Sequence, residues 1–306
     1  MRPAWSVLLF TTLAGVGQGL LLALFAIDLL AIAPGDFMAT GAAIALAFLA
    51  VGLTASFFHL GHPKRAWRSA TMWRTSWLSR EVIVLPALMG AVAVYGLMHA
   101  LSVDRNFALL IGASAAVLCI ALFICTGMIY ACLPFLQEWR TPLTVVNFTA
   151  FGCASGLTAA ALLAALLHPA LARPYALAAL LFGALAYLTR LASLARNARL
   201  RPKSTLATAI GVKHPKIVQI AQGAMGGSFN TREFFHGRPY EVVRATRWTF
   251  LMLVFPLPAI LLVFAPHSML ALAAAFVLQY AGLLAERWYF FAEAKHPQNI
   301  YYQAIA

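Results

Sequence analysis

His59 and Glu81 are the ionisable residues of this sequence best placed for chemistry, because each sits where a long apolar stretch meets a polar connection. An imidazole titrates near pH 6.5 and a glutamate carboxyl near 4.3, so the pair can hydrogen-bond a ring carbonyl and exchange a proton with it. A quinone site makes the same demands: a partner for each ring carbonyl and a proton route inside an otherwise apolar cleft. The same residues also have a plainer use, with His59 capping the last carbonyls of one helix and Glu81 complementing the positive end of the next. Spacing alone leaves both readings open.

Gly61 and Arg80 flank the connection between those two residues and join Gln18, Glu286 and Arg287 as secondary candidates for the site. Gln18, in Gly15-Val16-Gly17-Gln18-Gly19, is a polar residue among glycines and also fits helix packing. Glu286-Arg287 lies near the end of the last apolar stretch, where a self-neutralising interface anchor is the alternative. Asp28 is a further polar position in the first stretch. A b-type haem would need two histidines at matching depth on facing helices, and no apolar stretch carries one near its centre. Cys119, Cys125, Cys132 and Cys153 have no C-x-x-C spacing and read as small buried apolar side chains, so no haem, iron–sulfur or other metal site is expected in this chain.

The elements that must hold these residues are membrane helices. The chain has 306 residues, of which 62% are apolar and only 10% charged, too little polar surface to cover a water-soluble fold of this size. Crossing about 30 Å of hydrocarbon takes roughly 20 apolar residues. Such runs cover about 5–33, 38–59, 82–101, 107–131, 144–167, 174–195, 248–265 and 268–291. Pro34-Gly35, Gly61-His62-Pro63, Pro134, Pro142, His168-Pro169, Pro174 and Pro266 punctuate the breaks. Pro256, Pro258 and Pro266 either kink one helix or separate two. The first run is too long and too glycine-rich for a secretory signal and is expected to stay as a helix. The fold class is therefore an all-α bundle of eight transmembrane helices forming one membrane domain over residues 1–306.

Eight crossings put both termini on one side, together with the second, fourth and sixth connections. That side collects 20 of the 22 Lys and Arg residues, and only Arg105 and Arg173 fall opposite. The positive-inside rule makes the basic side cytoplasmic. The formal charge of +13 thus reports topology, since the basic residues are interleaved with spans rather than gathered in a nucleic-acid-binding module. Sign alone does not explain why two basic connections, 60–81 and 196–247, run to roughly 22 and 50 residues while the others are short. They read as a docking face, with Lys64, Arg65, Arg68, Arg74, Arg232 and Arg238 as contacts for a partner. Ser76-Trp77-Leu78-Ser79-Arg80-Glu81 also echoes Ser228-Phe229-Asn230-Thr231-Arg232-Glu233, as two four-helix halves would. Chance and the commonness of Ser/Thr and acids at helix starts are the rival explanation.

His59-Leu60-Gly61-His62-Pro63 leading to Leu78-Ser79-Arg80-Glu81 resembles the membrane-anchor subunits of the dimethyl sulfoxide reductase family of molybdopterin oxidoreductases. Gly226-Gly227-Ser228-Phe229-Asn230-Thr231-Arg232-Glu233-Phe234-Phe235-His236 and Glu286-Arg287-Trp288-Tyr289-Phe290-Phe291 extend the resemblance over most of the chain. It implies a haem-free subunit of a bacterial inner membrane that binds menaquinone or ubiquinone. It also implies two partners, a four-cluster iron–sulfur subunit and a catalytic one that carries a molybdenum bis-pterin. The family's quinol-linked His and Glu carry onto His59 and Glu81. Electrons could run outward to an S-oxide or N-oxide, or inward from sulfite to quinone, and a cytoplasmic platform suits the second direction better. The competing classes are a multi-span transporter, disfavoured by ionisable groups at helix ends rather than the midplane, and a passive anchor with no quinone site.

Overall fold

The computed structural model describes residues 1–214, 216–218, 220, 221 and 234–300. Among these, all regular structure is helical, and eight segments are long and apolar enough to cross a membrane. They are α1 (Trp5–Leu29), α2 (Gly35–Phe57), α3 (Trp77–Ala100), α4 (Arg105–Ala131), α5 (Pro142–Leu167), α6 (Ala172–Asn197), the pair α8 (Tyr240–Leu253) and α9 (Pro256–Phe264) acting as one crossing, and α10 (Met269–Glu293). A short α7 (Leu206–Ile210) and a 3-10 segment, Pro63–Ala70, belong to the two long connections.

Local chemistry sets the helix starts. Ser76, Asp104, Thr141 and Ser268 accept first-turn backbone N–H groups of α3, α4, α5 and α10. The Ser76 cap starts α3 at Trp77, ahead of the apolar run that begins near 82. In the same way α8 begins at Tyr240, since its first turns carry Glu241, Arg244 and Arg247 and fail an average-hydropathy test while remaining helical. The prolines do both things expected of them: Pro256 and Pro258 break the seventh crossing, and Pro266 lies in the turn before α10. Pro258 has no N–H for the Val254 carbonyl four residues back, and the buried Gln279 amide of α10 donates to that carbonyl at 3.4 Å.

Helices α1 and α5 form the centre, with 72% and 78% of their apolar windows buried against 28–39% for the other crossings. They meet glycine to glycine. A Cβ on Gly156 would lie 2.1 Å from the Gly19 carbonyl carbon and 2.2 Å from the Leu20 nitrogen, so only glycine permits this backbone approach. The peripheral helices turn Val117, Leu181 and Leu188 outward, as lipid contact requires. The Met1 amino group donates to the Ala294 carbonyl at 2.8 Å, which brings the first and last crossings together on one face.

Candidate functional site

Glu81 lies in the first turns of α3 and is 5% exposed. The hydroxyl of Thr126, on the neighbouring α4, donates to its carboxylate. Thr126 also lines a cavity, large enough for about one water, with Gln18, Leu122, Phe123 and Phe148. Gln18 donates to Ala14 O of its own helix at 3.1 Å, while its Oε1 is buried without a partner among the described residues. Gln18 lines this hollow between α1, α4 and α5, and Glu81 of α3 is tied to its wall through Thr126.

His59 follows the C-terminus of α2, which packs directly against α3. Its side chain is exposed and has no hydrogen-bond partner among the described residues, Glu81 included. Partial cover by neighbouring chain lowers the imidazole pKa, so His59 is neutral at pH 7 and free to donate from one ring nitrogen or accept at the other. A Cβ on Gly61 would meet nothing within 4 Å, so this stretch is open space. Arg80 is spent on its own connection: it donates to Trp73 O at 2.9 Å and Arg74 O at 2.8 Å, with its guanidinium 4.2 Å from the Trp77 ring centroid. It holds the start of α3 in place rather than reaching the Glu81 hollow.

A second polar centre lies between α6 and α10. Glu286 and Arg287 are 1% and 3% exposed, so they are buried in the bundle and are not snorkelling anchors at the interface. Arg190 of α6 places Nε 2.8 Å from Glu286 Oε1 and Nη2 3.5 Å from Glu293 Oε2, and Arg287 Nη1 donates to Glu286 Oε2 at 2.8 Å. Arg190, one of the 20 cations counted on the basic side, lies inside α6, 2% exposed, as part of an ion network. Two arginines of one sign in apolar surroundings require such acids, because an unpaired buried charge costs several kcal/mol. A cavity the size of about one water lies among Glu138, Asn147, Arg190, Glu286 and Arg287.

A third cluster marks the opposite face. Asp28 accepts from Tyr95 OH at 2.8 Å and lies 3.0 Å from His99 Nε2, and Arg105 caps the end of α1 by donating to Asp28 O at 2.6 Å. Lys64, Arg65, Arg68, Arg74 and Arg238 are exposed, whereas Arg232 and the Ser228–Glu233 echo fall outside the described residues. Cys119, Cys125 and Cys153 are buried as expected; Cys132, at the end of α4, is exposed. Among the described residues no group of three His, Cys, Asp or Glu side chains could hold a metal ion.

This arrangement meets a match in sequence: the model of the family described as DMSO reductase anchor subunit (DmsC) covers residues 1–301. The chain belongs to this family of anchor subunits. A curated relative, one of the subunits of the sulfite dehydrogenase of Allochromatium vinosum, is 51% identical over 327 aligned positions that take in 100% of both chains. The DMSO reductase anchor family makes the chain a multi-pass membrane subunit of an oxidoreductase complex. In this family member the polar residues that sequence reasoning missed are Thr126, which holds Glu81, and Arg190, which holds Glu286. Thr126 gave no signal, since a hydroxyl within a span usually bonds its own helix. Arg190 did give one, because Leu188, Leu191 and Leu194 surround it with the spacing of a continuing apolar helix.

Proposed function

We propose that this chain is the quinone-reactive anchor of a three-subunit molybdopterin and iron–sulfur oxidoreductase, with His59 and Glu81 handling the protons. The observation that carries the reading is the burial of the Glu81 carboxyl under a Thr126 hydrogen bond, one crossing away from an exposed His59 whose pKa is lowered by partial cover. A carboxyl kept in apolar surroundings without a cation is suited to carrying a proton rather than a fixed charge. The orphaned Gln18 Oε1 and the open space around Gly61 fit a polar ring entering from this side.

When bound, menaquinone or ubiquinone would supply two-electron redox chemistry coupled to two protons. His59 binds one ring oxygen through a ring nitrogen, and Glu81 holds and releases a proton at its carboxyl. Thr126 orients that carboxyl. The apolar walls from Leu122 and Phe123 exclude bulk water. The exposed Lys64, Arg65, Arg68, Arg74 and Arg238, on the basic connections 60–81 and 196–247, form the cytoplasmic docking face for the iron–sulfur subunit, which in turn contacts the molybdenum bis-pterin subunit. The name of the Allochromatium vinosum relative favours sulfite oxidation; on this reading the electrons pass to quinone in a bacterial inner membrane.

The test is His59→Ala in the assembled complex. It abolishes quinone-linked turnover while activity with an artificial soluble electron carrier persists. Normal quinone turnover in this variant would refute the assignment.

A further inference from the structure

Gln18 is 2% exposed, and its amide is held in one orientation. Nε2 donates to the Ala14 carbonyl at 3.1 Å, so exchanging the two ends would set oxygen against oxygen. That leaves Oε1 as the end without a partner among the described residues. The backbone is fixed at this level as well. The Cys119 thiol of α4 donates to the Gln18 carbonyl at 3.3 Å, and Gly19 meets Gly156 of α5 one residue further on. A residue with an orphaned acceptor is thereby held at the hollow that Thr126 lines from α4.

The polar side chains of this hollow are short of protons. Thr126 spends its one hydroxyl proton on Glu81, and Thr11 spends its own on the Val7 carbonyl at 2.9 Å. With Gln18 they present three acceptors and no free donor, among walls from Phe10, Leu122 and Phe123. The space holds about one water, and a water brings two protons. One goes to Gln18 Oε1, which has no other partner. Thr126 Oγ1 is the stronger claimant for the second, because a hydroxyl that donates to a carboxylate becomes a better acceptor. Thr11, by contrast, donates to a neutral carbonyl.

We propose that Gln18 is a positioning residue for the proton on Glu81, acting through one bridging water and Thr126. The inference rests on the quinone reading of Glu81. With the water donating to Thr126 Oγ1, the hollow side of that hydroxyl is occupied and its proton stays on Glu81 Oε1. Oε1 is then an acceptor in both charge states of the carboxyl, and the transferable proton is confined to Oε2. When the iron–sulfur subunit delivers two electrons to the quinone, the Oε2–H bond breaks and a ring oxygen takes that proton. Glu81 is left as a carboxylate and regains a proton at Oε2 from the aqueous phase. The second proton of the reduction enters beside the exposed His59. Without Gln18 the water loses one of its two acceptors. The Thr126 hydroxyl then turns to the carbonyl four residues back, as threonines inside helices do, and the Glu81 proton divides between the two oxygens.

The experiment uses the complete complex in lipid nanodiscs. Turnover with a short-chain quinone is normalised to activity with an artificial soluble electron carrier, so that only assembled complex counts. Gln18→Leu keeps the bulk and removes the acceptor. It lowers quinone-linked turnover about tenfold on its own and adds nothing beside Thr126→Val, because its effect passes through that hydroxyl. An equal loss in both backgrounds, which a packing role would give, overturns the inference, and so does parental turnover in Gln18→Leu. Infrared difference spectra across quinone reduction give a second reading. The parent shows a water O–H band that moves in heavy-oxygen water, is lost in Gln18→Leu and Thr126→Val, and persists in Thr11→Val. Absence of that band in the parent overturns the bridging water even where Gln18→Leu fails to assemble, and its loss in Thr11→Val overturns the assignment to Thr126. Full turnover in Glu81→Gln overturns the quinone reading and this inference with it, whereas its loss beside a parental Gln18→Leu removes this inference alone.

Discussion

Replacing Arg190 by Gln tests the buried ion network most directly. The Arg190 and Glu286 side chains are 3% and 1% exposed, and Nε stands 2.8 Å from Oε1, so water screens neither charge. Glutamine keeps much of the volume but leaves Glu286 with Arg287 alone, and Glu293 loses its 3.5 Å contact. Removing one partner of a buried pair costs about 3–5 kcal/mol. That loss lowers the unfolding midpoint by roughly 6 °C or more. Buried Cys119 and Cys153 provide the assay, since a thiol-reactive fluorogenic dye labels them only as the detergent-solubilised bundle opens. The double variant Arg190→Gln, Glu286→Gln should fall short of the summed single losses by about 1–3 kcal/mol. A single-variant loss below about 1 kcal/mol, or strictly additive losses, would show that the two side chains do not act as a pair.

Three further outcomes follow from the same geometry. Gly156→Leu sets a side chain against the backbone of Gly19 and Leu20 and prevents α1 and α5 from closing, which is read as loss of folded protein in the membrane fraction; a normal yield would contradict the close approach. Asp28→Ala strips Tyr95 and His99 of their shared acceptor and lowers stability by about 1–3 kcal/mol without changing soluble-carrier activity, measured by thermal unfolding and turnover together. Because partial cover lowers the His59 pKa from its ordinary value, its imidazole takes up a proton at more acid pH than a free histidine does. Quinone-linked turnover should therefore be flat from neutral to mildly alkaline pH and change on the acid side. His59→Gln should lose that acid-side change, and its persistence there would assign it to another group.

The sequence by itself determined the eight crossings, their approximate bounds, the shared face of the two termini and the places where prolines interrupt. These depend on hydropathy and on residues close in the chain: a run of apolar side chains needs no partner to be recognised, and Ser76 caps the helix that follows it. The family was legible for a similar reason, since it rests on short segments around His59, Glu81 and Glu286. Helix starts were missed where polar turns precede the apolar run, as in α3 and α8, because average hydropathy discards amphipathic turns. Only the tertiary structure decided which polar residues meet. Glu81 with Thr126, Arg190 with Glu286 and Asp28 with Tyr95 pair residues 45, 96 and 67 positions apart. Charge sign can orient a helix, but it does not say that Arg190 is a buried ion paired with an acid until its neighbours are known. Only helix packing puts an acid against it, and only that packing sets Phe148 between two polar cavities.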